Sequence, residues 1–266
     1  MTPKVSPFSI EQIGRTAVRF PSGAPIPSIS DASVDPYWKT RISKAVHVEG
    51  VLFWPQEKGP YPGVIILHER WGLTTPIQDI ALRLACEGYM VLVPNLYGRQ
   101  GGMVTASAEV ADALASRIKE PEAMQDINSC CEFLNTRDQQ KKNVHGVVGI
   151  GLGGTLALRF AFQRKRLRAA VSFYGAIAMP PAMLKDLVCP VLYHRAGADS
   201  TVTDEQIELL REAEKVSGKP VTIDTYTDAP PAFFDPTRKD TYRKDASEGA
   251  WESTIGFLSD RLQADR

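Results

Sequence analysis

Residues 147–160 read VVGIGLGGTLALRF: an apolar strand runs into Gly149-Ile150-Gly151-Leu152-Gly153-Gly154 and on into a helical pattern. A glycine-rich turn between a strand and a helix serves two chemistries. It cradles a pyrophosphate on backbone N–H groups when it reads G-x-G-x-x-G, which Gly149, Gly151 and Gly154 satisfy literally. It also serves as a nucleophile elbow, G-x-S-x-G, whose middle residue carries the attacking atom on a sharp turn. In that second frame the middle residue is Gly151, which has no side chain.

The two readings make different demands on the rest of the chain. A dinucleotide turn belongs at the first strand–helix unit, with an acidic residue closing the next strand to bind the ribose. Here several strand patterns precede Gly149, and the next strand closes in Ser172-Phe173-Tyr174-Gly175. Nucleotide binding is therefore the weakest reading. An elbow calls for an acid and then a histidine, each after a successive strand. The acid is in place: Ala196-Gly197-Ala198-Asp199 follows the strand pattern ending at His194. The loop that should carry the histidine reads TDAPPAFFDP (227–236) and contains none; the four histidines are His47, His68, His145 and His194. The frame of an acyl-transfer site is present, while its nucleophile and its base are both missing.

Elements that would position these residues follow from the hydrophobic pattern. Residues 63–69 and 89–94 are continuous apolar runs, expected to be strands covered on both faces. Residues 46–54 and 219–226 alternate as strands, and 144–150, 167–175 and 189–197 complete the set. Helical patterns fall at 76–88, 122–135, 153–162, 203–217 and 241–262. Strands alternating with helices predict an α/β fold: a mostly parallel sheet with helices on both faces and no large lid domain. Residues 1–45 are rich in Pro and Ser and read as an N-terminal arm, leaving 46–266 as the single domain.

Thirty-one basic residues balance 31 acidic ones across 266 residues, so the charge gives no reason to expect nucleic acid or an anionic membrane as partner. No stretch is long and apolar enough to insert in a bilayer, and the first residues lack the pattern of a secretory signal. Cys86, Cys130, Cys131 and Cys189 show no C-x-x-C spacing and read as reduced thiols in core positions. A cytoplasmic location is the expectation. His68 and His194 match no metal-ligand spacing, so neither a metal nor a cofactor is expected.

The chain resembles the dienelactone hydrolase family of α/β-hydrolases over about residues 46–262. The likeness rests on HERWG (68–72), EGYMVLVPNLYGRQGG (87–102), GIGLGG (149–154), the Gly197-x-Asp199 turn and Tyr226 through Phe233. It implies the α/β-hydrolase fold. Carried over residue by residue, Glu69 matches the glutamate that controls the nucleophile's ionisation, and Asp199 matches the triad acid. Gly151 stands at the nucleophile position and Pro231 at that of the histidine, so the triad is degenerate. Asp235 stands where lactone-cleaving members carry an arginine for the substrate carboxylate.

What remains is a pocket without an attacking atom. The amides of Arg70 and Leu152 are the expected oxyanion hole, the latter at a helix N-terminus. Glu69, Arg70, Trp71, Tyr97, Arg99, Gly151, Leu152, Asp199, Phe233 and Phe234 are the expected lining, on loops at the carboxyl end of the sheet, where ligands bind in this architecture. The expected function is a pseudoenzyme-like binder of a small organic anion, or an interaction subunit whose partner covers that face through the Pro-rich arm and the loop Pro230–Phe234. The enzyme alternative is hydrolysis or isomerisation of a lactone- or ester-like anion by Glu69 and Asp199, without a covalent intermediate. Glu69 reads equally well as a structural carboxylate, and Asp199 as a helix-capping residue.

Overall fold

In the computed structural model, which describes residues 6–23 and 46–264, the centre of the molecule is strand β3 (Tyr61–Leu67). All seven of its residues are buried, which explains why its sequence shows no polar alternation. Val64 and Ile66 join the hydrophobic layer on one face of the sheet, Ile65 and Leu67 the layer on the other. Around it the sheet runs β1-β2-β4-β3-β5-β6-β7-β8, with β1 (Ile13–Pro21), β2 (His47–Pro55), β4 (Met90–Pro94), β5 (Gln140–Ile150), β6 (Ala169–Phe173), β7 (Val191–Ala196) and β8 (Val221–Tyr226). β1 pairs antiparallel with β2, and β2 with β4; every other pairing is parallel. This is the mostly parallel sheet the pattern implied.

Helices α1 (Thr75–Cys86) and α6 (Lys244–Leu258) bury Ile77, Ile80, Leu84, Ala250 and Leu258 against one face. Helices α3 (Glu120–Asn135), α4 (Leu152–Ala161) and α5 (Asp204–Ser217) cover the other with Ile127, Leu134, Leu156, Phe160, Ile207 and Leu210. Thr203 caps α5 by accepting from the Gln206 amide, and Gly218 ends it in the left-handed conformation. A short helix, α2 (Ala108–Ser116), was not evident from the sequence.

Part of the segment read as an N-terminal arm is regular structure. Residues 13–21 form an edge strand matched residue for residue to β2, with Phe20 stacked on Phe133 of α3 at 4.3 Å. Residues 1–5 and 24–45 of the expected arm lie outside the described residues. All four cysteines are buried and free. Among the described residues, no helix is long and apolar enough to cross a membrane, and no cluster of His, Cys, Asp and Glu is placed to hold a metal ion.

Candidate functional site

Parallel strands deliver their following loops to one edge of the sheet, and the residues after β3, β5, β6, β7 and β8 meet there. At the β5–α4 junction Gly151 has φ 54° and ψ −114°, and its amide donates to the Phe173 carbonyl at 3.0 Å. The neighbouring glycines are required by packing. A Cβ on Gly149 would lie 2.0 Å from the Gly153 carbonyl oxygen, and one on Gly153 would lie 2.0 Å from that of Leu67. Gly151 is different: its Cβ would meet nothing nearer than Glu69 Cγ at 3.7 Å and Tyr174 Cε2 at 3.9 Å. The turn therefore has the form of an elbow, with glycines where helix and strand press together and open space where a side chain would project.

That space belongs to a cleft of about 520 Å³, a volume suited to a small organic molecule. Of the residues singled out in the sequence, Glu69, Arg70, Trp71, Gly151, Leu152 and Asp199 line it, and Pro231, Tyr174, Thr201 and Arg238 join them. Four expected lining residues do not reach it. Tyr97 is fully buried, and its hydroxyl donates to the Arg70 carbonyl at 2.9 Å, bracing the loop from beneath. Arg99 turns towards α3 and pairs with Asp126 at 2.8 Å, because that carboxylate is the nearer countercharge. Phe233 is fully buried against Tyr174 and Tyr226. Phe234 is 5% exposed and lines a second, partly enclosed cavity of about 90 Å³, so this aromatic pair offers little surface to a partner.

The Glu69–Arg70 peptide is held on both sides. His68 Nδ1 donates to the Glu69 carbonyl at 2.7 Å, and the Gly72 amide donates to it at 3.2 Å. His68 Nε2 accepts from the Leu96 amide at 2.9 Å, so the ring is neutral with its proton on Nδ1, and burial pushes its pKa down to about 4. In a planar trans peptide the N–H points opposite the carbonyl, so anchoring the Glu69 oxygen also aims the Arg70 amide. His68 is thus a positioning residue. His194 lies in the core between Tyr226 and Thr254, away from the cleft.

Glu69 is 7% exposed and accepts from the Tyr174 hydroxyl at 2.9 Å. Burial raises its pKa; the Tyr174 bond opposes that rise, Asp235 adds to it, and Arg238 and Arg70 oppose it. Tyr174 itself has φ 40°, unusual for a residue with a side chain. Neither Tyr174 nor Arg238 was marked by the sequence pattern. The available signals were an aromatic with a polar tip directly after a buried strand, and an arginine three residues beyond Asp235. Arg238 stacks over Trp71 at 3.9 Å and pairs with Asp235 at 3.5 Å, while Arg70 lies 4.6 Å from the same indole. Asp199 accepts from the Thr201 amide at 2.8 Å and from its hydroxyl at 2.6 Å, both through Oδ1.

The raised carboxyl carries a stability consequence. A carboxyl whose folded pKa lies above its unfolded value stabilises fully below the unfolded value and loses that contribution as pH rises through the folded one. Glu69→Gln keeps an oxygen for Tyr174 and removes the ionisation. Its melting temperature is expected to exceed wild type by a few degrees at pH 8, with the excess shrinking as pH falls towards 6, as read by scanning calorimetry. A lower melting temperature at pH 8 would show that the charge is well compensated.

The profile of the dienelactone hydrolase family matches residues 48–262. The chain belongs to that family. A family relative from Yersinia pestis, named "Putative carboxymethylenebutenolidase", is 28% identical over 215 residues, covering 77% of this chain and 80% of its own. One from Saccharolobus solfataricus with the same name is 30% identical over 239 residues, covering 77% and 92%. Among solved structures, the dienelactone hydrolase-like promiscuous phosphotriesterase P91 from metagenomic libraries superposes with a TM-score of 0.75 at 19% identity, covering 93% of this chain and 99% of that one. The α/β-hydrolase fold of this dienelactone hydrolase family member follows from that likeness and from its own strand order.

Proposed function

We propose that this member of the dienelactone hydrolase family binds a small organic anion bearing a carbonyl group, in the cleft beside Gly151, without the family's covalent route. One observation carries the reading: the elbow keeps its backbone form and its open space at Gly151, yet no sulfur, hydroxyl or imidazole stands at the nucleophile or base position. Covalent acyl transfer needs an attacking atom and a proton acceptor, and residues 151 and 231 supply neither. The amides of Arg70 and Leu152 serve as donors to a ligand oxygen, Leu152 with the favourable field of a helix N-terminus. Arg70 and Arg238, which stack on Trp71 and pair with Asp112 and Asp235, bring positive charge to the cleft for a ligand carboxylate. The burial of Phe233 and Phe234 favours this over a partner seated on the same loop.

Titration with a small unsaturated lactone carboxylate tests it, with tryptophan fluorescence and calorimetry as readouts. Saturable binding is expected, with a fluorescence change lost in Trp71→Phe. Affinity should fall about tenfold or more in Arg238→Ala, the loss of one charge-assisted contact. Absence of binding by calorimetry, or a burst of covalent acylation in the wild-type protein, would sink the reading.

A further inference from the structure

The open space at Gly151 and the buried carboxyl of Glu69 lie side by side, and ligand binding alone does not require that juxtaposition. We propose that a water molecule takes the place of the missing nucleophile side chain and that Glu69 is its general base, so that a bound lactone or ester is hydrolysed directly, without an acyl-enzyme. This rests on the ligand-binding cleft proposed above and adds turnover to it.

The geometry supports the assignment in three ways. A Cβ at residue 151 would have the Glu69 side chain as its nearest neighbour, 3.7 Å away at Cγ, and both residues line the cleft, so a water seated between the open space and the carboxyl group is the molecule Glu69 can engage. The Tyr174 hydroxyl engages Glu69 Oε1, which fixes the carboxyl plane and leaves Oε2 for the water. The Glu69–Tyr174 pair also lines the partly enclosed cavity of about 90 Å³ on its other side, where Thr74, Asp79 and Thr237 contribute polar groups. That volume has room for a few water molecules held by such partners, a supply beside the base that does not pass through the ligand. Asp199 is the poorer candidate base, because its Oδ1 already accepts two bonds from Thr201.

In the step itself, the water oxygen bonds to the carbonyl carbon as its proton passes to Glu69. The carbonyl pair moves onto the oxygen facing the Arg70 and Leu152 amides. When that pair returns, the bond to the alcohol oxygen breaks and Glu69 gives its proton to the departing alkoxide. The products are the carboxylic acid and the alcohol, joined in one chain when the substrate is a lactone. No group beyond water and the ligand is consumed.

The charged and titratable groups around Glu69 set the pH dependence: Arg70 on its own loop, Tyr174 after β6, Asp235 and Arg238 from the loop after β8, and Asp79 and Arg83 of α1 across the partly enclosed cavity. The base must be ionised, and burial raises its pKa, so turnover should rise with pH through a value above the ordinary carboxylate range.

Purified full-length protein with an activated aryl ester and an unsaturated lactone provides the test. Wild type is expected to exceed buffer by about 10²- to 10³-fold, with no burst, no acylated protein in acid-quenched mass spectra, and one oxygen-18 from labelled water in the acid product. Glu69→Gln should fall to the buffer rate while still binding the lactone carboxylate. Tyr174→Phe should move the pH inflection upward, because the lost bond is one that favours the carboxylate, a shift that a merely structural role would not produce. Gly151→Ala, whose methyl narrows the space between residue 151 and the Glu69 side chain, should lower turnover at least tenfold; if it does not fold, the Glu69 and Tyr174 variants carry the test. Turnover at the buffer rate with binding intact overturns this proposal alone. Loss of both binding and turnover overturns the ligand-binding reading as well, and an acylated wild-type protein overturns the direct-water route.

Discussion

Gly151→Cys combined with Pro231→His is expected to raise hydrolysis of an activated ester by about 10²- to 10³-fold over wild type, with transient acylation of the new cysteine. The reason is that the two substitutions restore atoms to a frame that is otherwise in place. Gly151 sits at φ 54° in the elbow, and a Cβ there makes no contact shorter than 3.7 Å, so the cysteine costs backbone strain but no displacement of neighbours. The thiol would stand at the N-terminus of α4, whose field favours the thiolate. Residue 231 and Asp199 line the same cleft. Both hydrogen bonds to Asp199 use Oδ1, which leaves Oδ2 to orient an imidazole. Gly151→Cys alone should react with iodoacetamide yet turn over slowly, since no imidazole stands at residue 231 to protonate the leaving group and activate deacylation. A folded double variant no faster than the single one would show that residue 231 cannot deliver a histidine to the elbow.

Acidification should unfold this protein at unusually mild pH. His68, His145 and His194 are buried and uncharged, with pKa values pushed down by desolvation to about 4, about 3 and about 3. In the unfolded chain each titrates near 6.5. Between those values the unfolded chain holds more protons than the fold, so stability rises with pH. The contribution is complete above about pH 6.5 and is lost progressively as pH falls towards the folded values. At pH 5 each imidazole costs about 2 kcal/mol relative to pH 8, and the three together about 6 kcal/mol, against a typical total of about 5–15 kcal/mol. Urea unfolding at pH 8 and pH 5 measures this directly. Near pH 5 the slope should approach three protons taken up on unfolding, and a slope below one would refute the assignment of three neutral buried histidines. Glu69 acts in the opposite sense, favouring the fold at lower pH, so the net slope falls somewhat short of three.

How legible each element was depended on burial. β3 and β4 stood out because both faces are covered, which demands an unbroken apolar run. β1 escaped notice because it is an edge strand whose middle residues, Arg15, Thr16 and Ala17, are exposed, so its sequence carries no alternation to read. The same limit applied to the site. Leu152 and Asp199 could be placed beside the cleft from the sequence because their positions follow from strand ends. Arg99 also follows a strand, but its direction was settled by Asp126 on α3, a contact no local pattern announces. Arg238 reaches the cleft only because its loop folds back over Trp71.

What the sequence determined by itself is the list of atoms available for chemistry. Gly151 has no attacking atom and Pro231 no imidazole in any conformation, and the spacing of HERWG, GIGLGG and Asp199 was enough to indicate where those atoms belong. What only the tertiary structure decided is the state of the groups that remain. Glu69 and Tyr174 are 105 residues apart, and their hydrogen bond exists because β3 and β6 flank β5 in one parallel sheet. Burial, partners and field set a carboxyl's proton affinity, and these are properties of neighbours in space, not in sequence. Residue type leaves Gly151 without an attacking atom; packing raises the proton affinity of the carboxyl beside it.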